Sequence, residues 1–218
     1  MVMLYILGAG GLGRETFNLL IDLGKKDEVL GFLEDNSQRK GTLVLGKPID
    51  DTKILETLDR KAVKLVSGIG SPLRRNLIER IKKLGYSFET LIHPSVVKSE
   101  WVELGEGVVV YAGSILTTQI SIGRFSYINL ASTIGHDVKI GEYTSISPGV
   151  HISGHAVIGD RCFIGTGTVI REGVTISNGV FIGAGSVVVD DIPENVLAYG
   201  VPAKPVRKLT EEDWKKLI

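Results

Sequence analysis

Residues 122–165 read IGRFSYINLASTIGHDVKIGEYTSISPGVHISGHAVIGDRCFIG, and their spacing decides the fold of the second half of the chain. An aliphatic residue returns at every sixth position, at Ile122, Ile128, Ile134, Ile140, Ile146, Ile152, Ile158 and Ile164. Followed outward, the series is unbroken from Leu104 through Val110 and Leu116, and on through Ile170, Ile176 and Ile182 to Val188. Two residues before each aliphatic stands a small or β-branched residue, such as Ser114, Ser126, Ser132, Val138, Thr144, Val150, Ala156, Cys162 or Thr168, which makes a second inward register. A period of six matches neither the 3.6 of a helix nor the 2 of a long strand. It fits short strands separated by turns, three to a coil of eighteen residues, with the aliphatics stacked inside a triangular column. No hexad carries an insertion, so about five coils are expected. Glycine follows the aliphatic residue at Gly105, Gly123, Gly135, Gly141, Gly159, Gly165 and Gly183, where it is read as relieving backbone angles at the corners.

The first 94 residues follow a different pattern. Residues 3–7 form a buried strand, followed by Gly8-Ala9-Gly10-Gly11-Leu12-Gly13 and a helical pattern with Phe17, Leu20, Ile21 and Leu23 on its apolar side. A second strand, Val29 to Leu33, ends in Glu34-Asp35-Asn36, and a third, Val63 to Ser67, precedes Gly68-Ile69-Gly70-Ser71 and a helix starting near Pro72. This is a Rossmann-like βαβαβ start. Alone, the glycine spacing suggests a dinucleotide-dependent oxidoreductase, but about 95 residues hold one mononucleotide-binding half rather than two. A nucleotide-sugar fits better. The expected division is therefore 1–94 for an α/β domain, 95–209 for the column and 210–218 for a C-terminal helix capped by Thr210.

Lysine plus arginine equals aspartate plus glutamate at 25 each, so no net field favours nucleic acid or an anionic membrane. No apolar run approaches spanning length, and the chain opens without a basic leader, so a cytoplasmic protein is expected. The one cysteine, Cys162, lies in the inward register, which favours buried packing over an acyl-enzyme nucleophile.

The second half resembles the hexapeptide-repeat acyltransferases, on Ile122-Gly123, Ile140-Gly141, Ile158-Gly159, Ile164-Gly165 and Ile182-Gly183. That resemblance implies a left-handed parallel β-helix assembled as a homotrimer with active sites between subunits. Both halves together resemble the bacterial sugar acetyltransferases that act on UDP-amino-sugars, GDP-perosamine or sialic acid. The marks are the Gly8 to Gly13 loop, Phe32-Leu33-Glu34-Asp35-Asn36, Gly68-Ile69-Gly70-Ser71 with Arg74, Ile92-His93-Pro94-Ser95, Ile134-Gly135-His136-Asp137 and Gly200-Val201-Pro202-Ala203-Lys204. The resemblance implies acetyl-CoA as co-substrate and a nucleotide-sugar held by Gly8, Gly10, Gly11, Gly13, Asp35, Asn36, Ser71 and Arg74, with Asn129 added from the column.

Acetyl transfer from a thioester needs a base for the attacking amine or hydroxyl and a donor for the oxyanion. His136 occupies an outward corner after Ile134 and Gly135, and Asp137 beside it can orient the ring. In the family it resembles, the histidine at this place is the general base. Gly154 lies one coil beyond His136, where its amide can face the acetyl carbonyl. Thr166 and Ala184, also eighteen apart, correspond to positions along which the family lays the pantetheine arm, and Lys204 to a cofactor-phosphate contact. Two family histidines are replaced, by Leu12 in the glycine loop and by Ser145 nine residues after the base, which leaves N- or O-acetylation open.

His93 is read as structural. His136, His151 and His155 together raise a zinc hydratase reading. Against it, His151 and His155 do not project from equivalent corners, and a nucleotide domain has no role in hydrating carbon dioxide, so no metal is expected. A scaffold without catalysis would leave His136-Asp137 and the glycine loop unexplained.

Overall fold

The computed structural model describes residues 2–35 and 38–217, and the chain divides into two compact units, Met1–Gly70 with Arg74–Thr90, and Ser71–Leu73 with Leu91–Ile218. In the first unit, β1 (Met3–Leu7) is flanked in parallel by β2 (Val29–Glu34) and β5 (Val63–Ser67). β4 (Lys47–Asp51) adds in parallel to β2, and β3 (Leu43–Val44) closes that edge antiparallel, giving the order β3-β4-β2-β1-β5. Leu4 to Leu7 are all buried, as expected of a central parallel strand covered on both faces. α1 (Gly11–Asp22) covers the sheet, with Phe17 meeting Phe32 edge to face at 6.0 Å. Between β2 and β5 the sequence reading places a regular strand-helix alternation. The chain instead forms the β3–β4 hairpin and a 3₁₀ turn at Thr52–Glu56. The hairpin turns on Leu45 and Gly46, at φ 49° and 77°, the two-positive geometry that matches strand twist. α2 (Arg74–Lys83) completes the unit.

The second unit is the predicted parallel β-helix. Its three faces are sheets of six, five and eight strands, with neighbouring rungs paired eighteen residues apart, as Thr133 with His151 and Ile134 with Ile152. The first rung, Leu91–Ile92 on Val109–Val110, precedes both the expected boundary at residue 95 and the start of the hexad series at Leu104. At the far end Val196–Gly200 continues the parallel stack on Phe181–Ile182, and Ala203–Lys208 returns antiparallel along it. More coils therefore stack than the five read from the series alone. α3 (Glu211–Leu217) follows, with Thr210 and Asp213 capping each other: the Asp213 amide donates to Thr210 Oγ1 at 3.4 Å, and the Thr210 amide to Asp213 Oδ2 at 2.7 Å. Trp214 packs on Phe181 at 5.8 Å.

Both inward registers line the core, from Val108 and Val110 to Ser186 and Val188. Buried hydroxyls must be satisfied; Ser114, Ser126, Ser132 and Thr144 follow one rule, while Thr168 and Ser186 donate to the carbonyl three residues back. Ser126 Oγ donates to the Gly141 carbonyl at 2.7 Å and accepts from the Thr144 amide at 2.8 Å; Thr144 Oγ1 donates to Gly159 at 2.7 Å and accepts from Cys162 at 3.1 Å. Thr144→Val keeps the shape but removes both bonds. The Cys162 amide can then turn to the carbonyl three residues back, as the Thr168 amide does to Gly165 at 3.2 Å. The expected loss is about 1–2 kcal/mol, measured as a lower urea midpoint at unchanged slope.

The corner glycines need a different explanation from the one their position suggests. Gly105, Gly123, Gly135, Gly141, Gly159, Gly165 and Gly183 are absent from the positive-φ set; that conformation falls two residues later, at Gly107, Phe125, Asp137, Tyr143, Arg161, Gly167 and Gly185. The glycines are required by close approach. A Cβ on Gly165 would stand 2.6 Å from the Ala184 amide nitrogen, and one on Gly135 would stand 2.7 Å from that of Gly154.

Candidate functional site

In the first unit the chain leaves β1 toward β2 and later returns to its other side as β5, which makes the carboxyl ends of β1 and β5 the switch point where open α/β sheets bind ligands. The glycine loop lies there. A Cβ on Gly13 would meet the Gly8 carbonyl oxygen at 2.0 Å, and one on Gly68 the Gly13 Cα at 2.6 Å, so these glycines serve strand-helix packing. Gly10 and Gly11 face open space, and α1 begins at Gly11 with Gly10 as an N-cap that has no side chain to bond its first amides. Its first-turn amides are therefore suited to an anion.

The acid that reaches this loop is Glu34, which the motif reading passed over. Its Oε1 accepts from the Ala9 amide at 3.3 Å and pairs with Arg39 at 3.1 Å. Asp35 is held elsewhere, by Thr52 Oγ1 and Arg80. Burial alone would push its carboxyl up, but the hydrogen bonds from Thr52 and Arg80 and the cationic charge outweigh this and hold it below the ordinary aspartate value. Asp35 thus lines a separate pocket with Asp51, Thr52, Lys53, Glu56 and Arg80. Arg74 is 2% exposed and donates to the Gly70 carbonyl at 3.2 Å, bracing the loop rather than projecting from it. Ser71 Oγ accepts from the Leu73 amide at 3.3 Å. Asn36 lies outside the described residues.

On the column, His136 Nδ1 lies 2.9 Å from Asp137 Oδ2. With Nδ1–H donating to the carboxylate, Nε2 is the basic nitrogen. The imidazole lies over Gly154, where a Cβ would stand 2.5 Å from Cε1 and 2.6 Å from Nε2. Asp137 sits at a corner with φ 60°, its amide on the Thr118 carbonyl at 3.1 Å. Eighteen residues on, His155 occupies the same corner at φ 57°, and its amide donates to the His136 carbonyl at 2.9 Å. Its Nδ1 is 3.9 Å from the same Asp137 oxygen, and the two imidazoles meet edge to face at 4.9 Å. One carboxylate therefore faces two rings. His151 stays apart, its Nδ1 on Thr133 Oγ1 at 2.8 Å, and His93 closes a local turn with Ser95.

Thr166 and Ala184 are exposed and stacked on neighbouring coils, with the Gly185 amide on the Thr166 carbonyl at 2.8 Å. Asn129 is 8% exposed and its Oδ1 accepts from the Leu130 amide at 2.7 Å, so its side chain closes a corner. Lys204 pairs with Asp190 at 2.7 Å on the surface, and its hydrogen bond and charge lower the aspartate's pKa. Cys162 is fully buried, with Sγ on the Ser177 carbonyl at 3.1 Å; burial pushes the thiol up to about 12 and removes it as a nucleophile. Ser145 is also buried.

The description "PglD N-terminal domain" fits residues 3–81, and "Bacterial transferase hexapeptide (six repeats)" fits residues 155–190. The chain is similar to the acetyltransferase domain of PglB from Neisseria gonorrhoeae in complex with acetyl coenzyme A, with 34% identity, TM-score 0.87, and coverage of 94% of this chain and 98% of that one. It is equally similar to PerB from Caulobacter crescentus in complex with CoA and GDP-perosamine, at 34% identity and TM-score 0.87 over 95% and 98% of the two chains. WeeI from Acinetobacter baumannii follows at 27% identity and TM-score 0.87, over 94% and 100%. No curated protein sequence matches the chain. Among the described residues no helix is long and apolar enough to cross a membrane.

Proposed function

The chain belongs to the bacterial hexapeptide-repeat sugar acetyltransferases with a PglD-type front domain, enzymes that draw on acetyl-CoA, and from that premise we propose that it acetylates the amine of a nucleotide-linked amino sugar with His136 as general base. The observation that carries the reading is the His136 ring, tied through Nδ1 to Asp137 and lying over Gly154. His136 Nε2 takes a proton from the amine as its nitrogen attacks the thioester carbonyl, and Asp137 stabilises the imidazolium that forms. The Gly154 amide donates to the oxyanion, and collapse of the tetrahedral intermediate expels the coenzyme A thiolate, which recovers the proton.

The front unit binds the nucleotide part. Its diphosphate meets the first turn of α1 beside Gly10 and Gly11, with Glu34 near the loop, and Asp35 and Asn36 are assigned as contacts on their sequence motif alone. Ser71 and Asn129 are polar contacts for the substrate, and Arg74 acts through the loop it braces. Pantetheine runs along the backbone at Thr166 and Ala184 between columns of a homotrimer, and Lys204 exchanges Asp190 for a cofactor phosphate. An amine acceptor is favoured over a hydroxyl because the similar PerB is bound to GDP-perosamine.

A panel of UDP-, GDP- and CMP-linked amino sugars and free sialic acid, each with acetyl-CoA, tests this by thiol release and product mass. Transfer to an amino sugar, giving a product stable to hydroxylamine, is the expected result. Transfer to sialic acid alone, giving a hydroxylamine-labile ester, would overturn the amine reading.

A further inference from the structure

We propose that His136, Asp137 and His155 form a site for a divalent transition-metal ion of zinc chemistry, and that its occupation switches acetyl transfer off. One donor atom from each lies within 4.8 Å of the other two. Two imidazoles and a carboxylate with room for a water are a common zinc donor set. Tetrahedral bonds of 2.0–2.1 Å bring donors to about 3.3 Å from one another, so the set must contract by roughly 1–1.5 Å. The three side chains are 51%, 37% and 57% exposed, and rotation about their χ angles supplies that contraction without moving the chain. Their backbones are already fixed, since Asp137 and His155 hold the same corner on successive coils and the His155 amide is bonded to the His136 carbonyl. Gly154 contributes by leaving space for the His136 ring.

Metal and catalysis exclude each other whichever nitrogen of His136 is used. Ligation through Nε2 occupies the lone pair that would accept the substrate proton. Ligation through Nδ1 displaces its hydrogen bond to Asp137 and puts the ring proton on Nε2, with the same result. The ion is thus an inhibitor, distinct from the zinc of a hydratase. The switching half of this proposal rests on His136 as the base; the binding half does not.

The test uses the chelator-treated full chain. Calorimetric titration with zinc chloride should show one ion per chain, and cobalt chloride should give visible d–d absorption. His155→Asn should weaken zinc binding at least ~10-fold, since even outer contacts of a metal site are commonly worth that much. Its melting temperature, compared with that of the parent, shows whether the column is intact. Each protein's rate with zinc is divided by its own metal-free rate, with product followed by mass because a released thiol would compete for the metal. Parent inhibition reversed by EDTA, and weaker inhibition of a folded His155→Asn chain, support the site. Absence of stoichiometric zinc binding, or equal affinity in the folded variant, would overturn it. Zinc bound at full occupancy with an undiminished rate would overturn the switch and, with it, the role of His136 as base.

Discussion

Replacing His136 by alanine is expected to lower acetyl transfer at least ~100-fold, the lower end of what a positioned base contributes, while coenzyme A continues to bind. The two effects separate because the ring acts at one corner, whereas the cofactor is assigned to Thr166 and Ala184 on another edge of the column. Steady-state turnover and calorimetry with coenzyme A make the comparison. Near-normal turnover in the alanine variant would remove His136 from the mechanism. Loss of cofactor binding would instead show that the two edges are not independent.

Two glycine substitutions, at positions 154 and 135, should fail in opposite ways. The three atoms nearest a Cβ at position 154 all belong to the His136 ring, at 2.5–3.0 Å, and a ring can rotate away. Gly154→Ala is therefore expected to melt close to the parent yet lose ~10–100-fold in turnover, the usual cost of misplacing a reacting group by about 1 Å. The alanine keeps its amide, so the loss reports on the ring and not on the oxyanion donor. At position 135 the new Cβ meets backbone: the Gly154 nitrogen at 2.7 Å, the Ser153 carbonyl carbon at 2.9 Å and the Ile152 oxygen at 3.0 Å. Backbone can yield only by parting two coils, so Gly135→Ala is expected to cost about 3 kcal/mol, the upper range for overpacking, with a clear drop in melting temperature. Equal melting temperatures for the two variants would contradict this division.

Much of this was legible from spacing. A period of six has one economical solution, and both inward registers could be read residue by residue. What spacing could not convey was which corner position carries the unusual backbone. The glycine after many of the aliphatics attracts attention, yet positive φ falls two residues later, often on residues with a Cβ such as Phe125, Asp137 and Tyr143. Those side chains are tolerated because each residue's amide donates to a carbonyl of the preceding coil and fixes the corner, a long-range cause with no local signature. The eighteen-residue offset that places Gly154 beside His136 also places His155 on Asp137, so the second ring was within reach of the same arithmetic.

In the front unit the strand-turn-helix was plain, but two adjacent acids at the end of β2 point to different neighbours. Only the fold shows that Glu34 meets the Ala9 amide while Arg80 and Thr52 hold Asp35. Arg74 turned inward for a similar reason: the Gly70 carbonyl that receives it is positioned by the loop's own folding. The β3–β4 hairpin did have a local cue, in Leu45-Gly46 followed by Pro48, a residue that a helix interior would refuse.

The hydroxyl pattern inside the column has a consequence for how such a chain can change length. Ser114, Ser126, Ser132 and Thr144 are each tied to the carbonyl fifteen residues on and the amide eighteen residues on. Deleting one residue would shift every later partner out of phase, whereas excising eighteen would remove a whole storey and rejoin matching ends. Growth by duplication is therefore quantised, and any variant that keeps His136 above Gly154 must be in phase with that quantum.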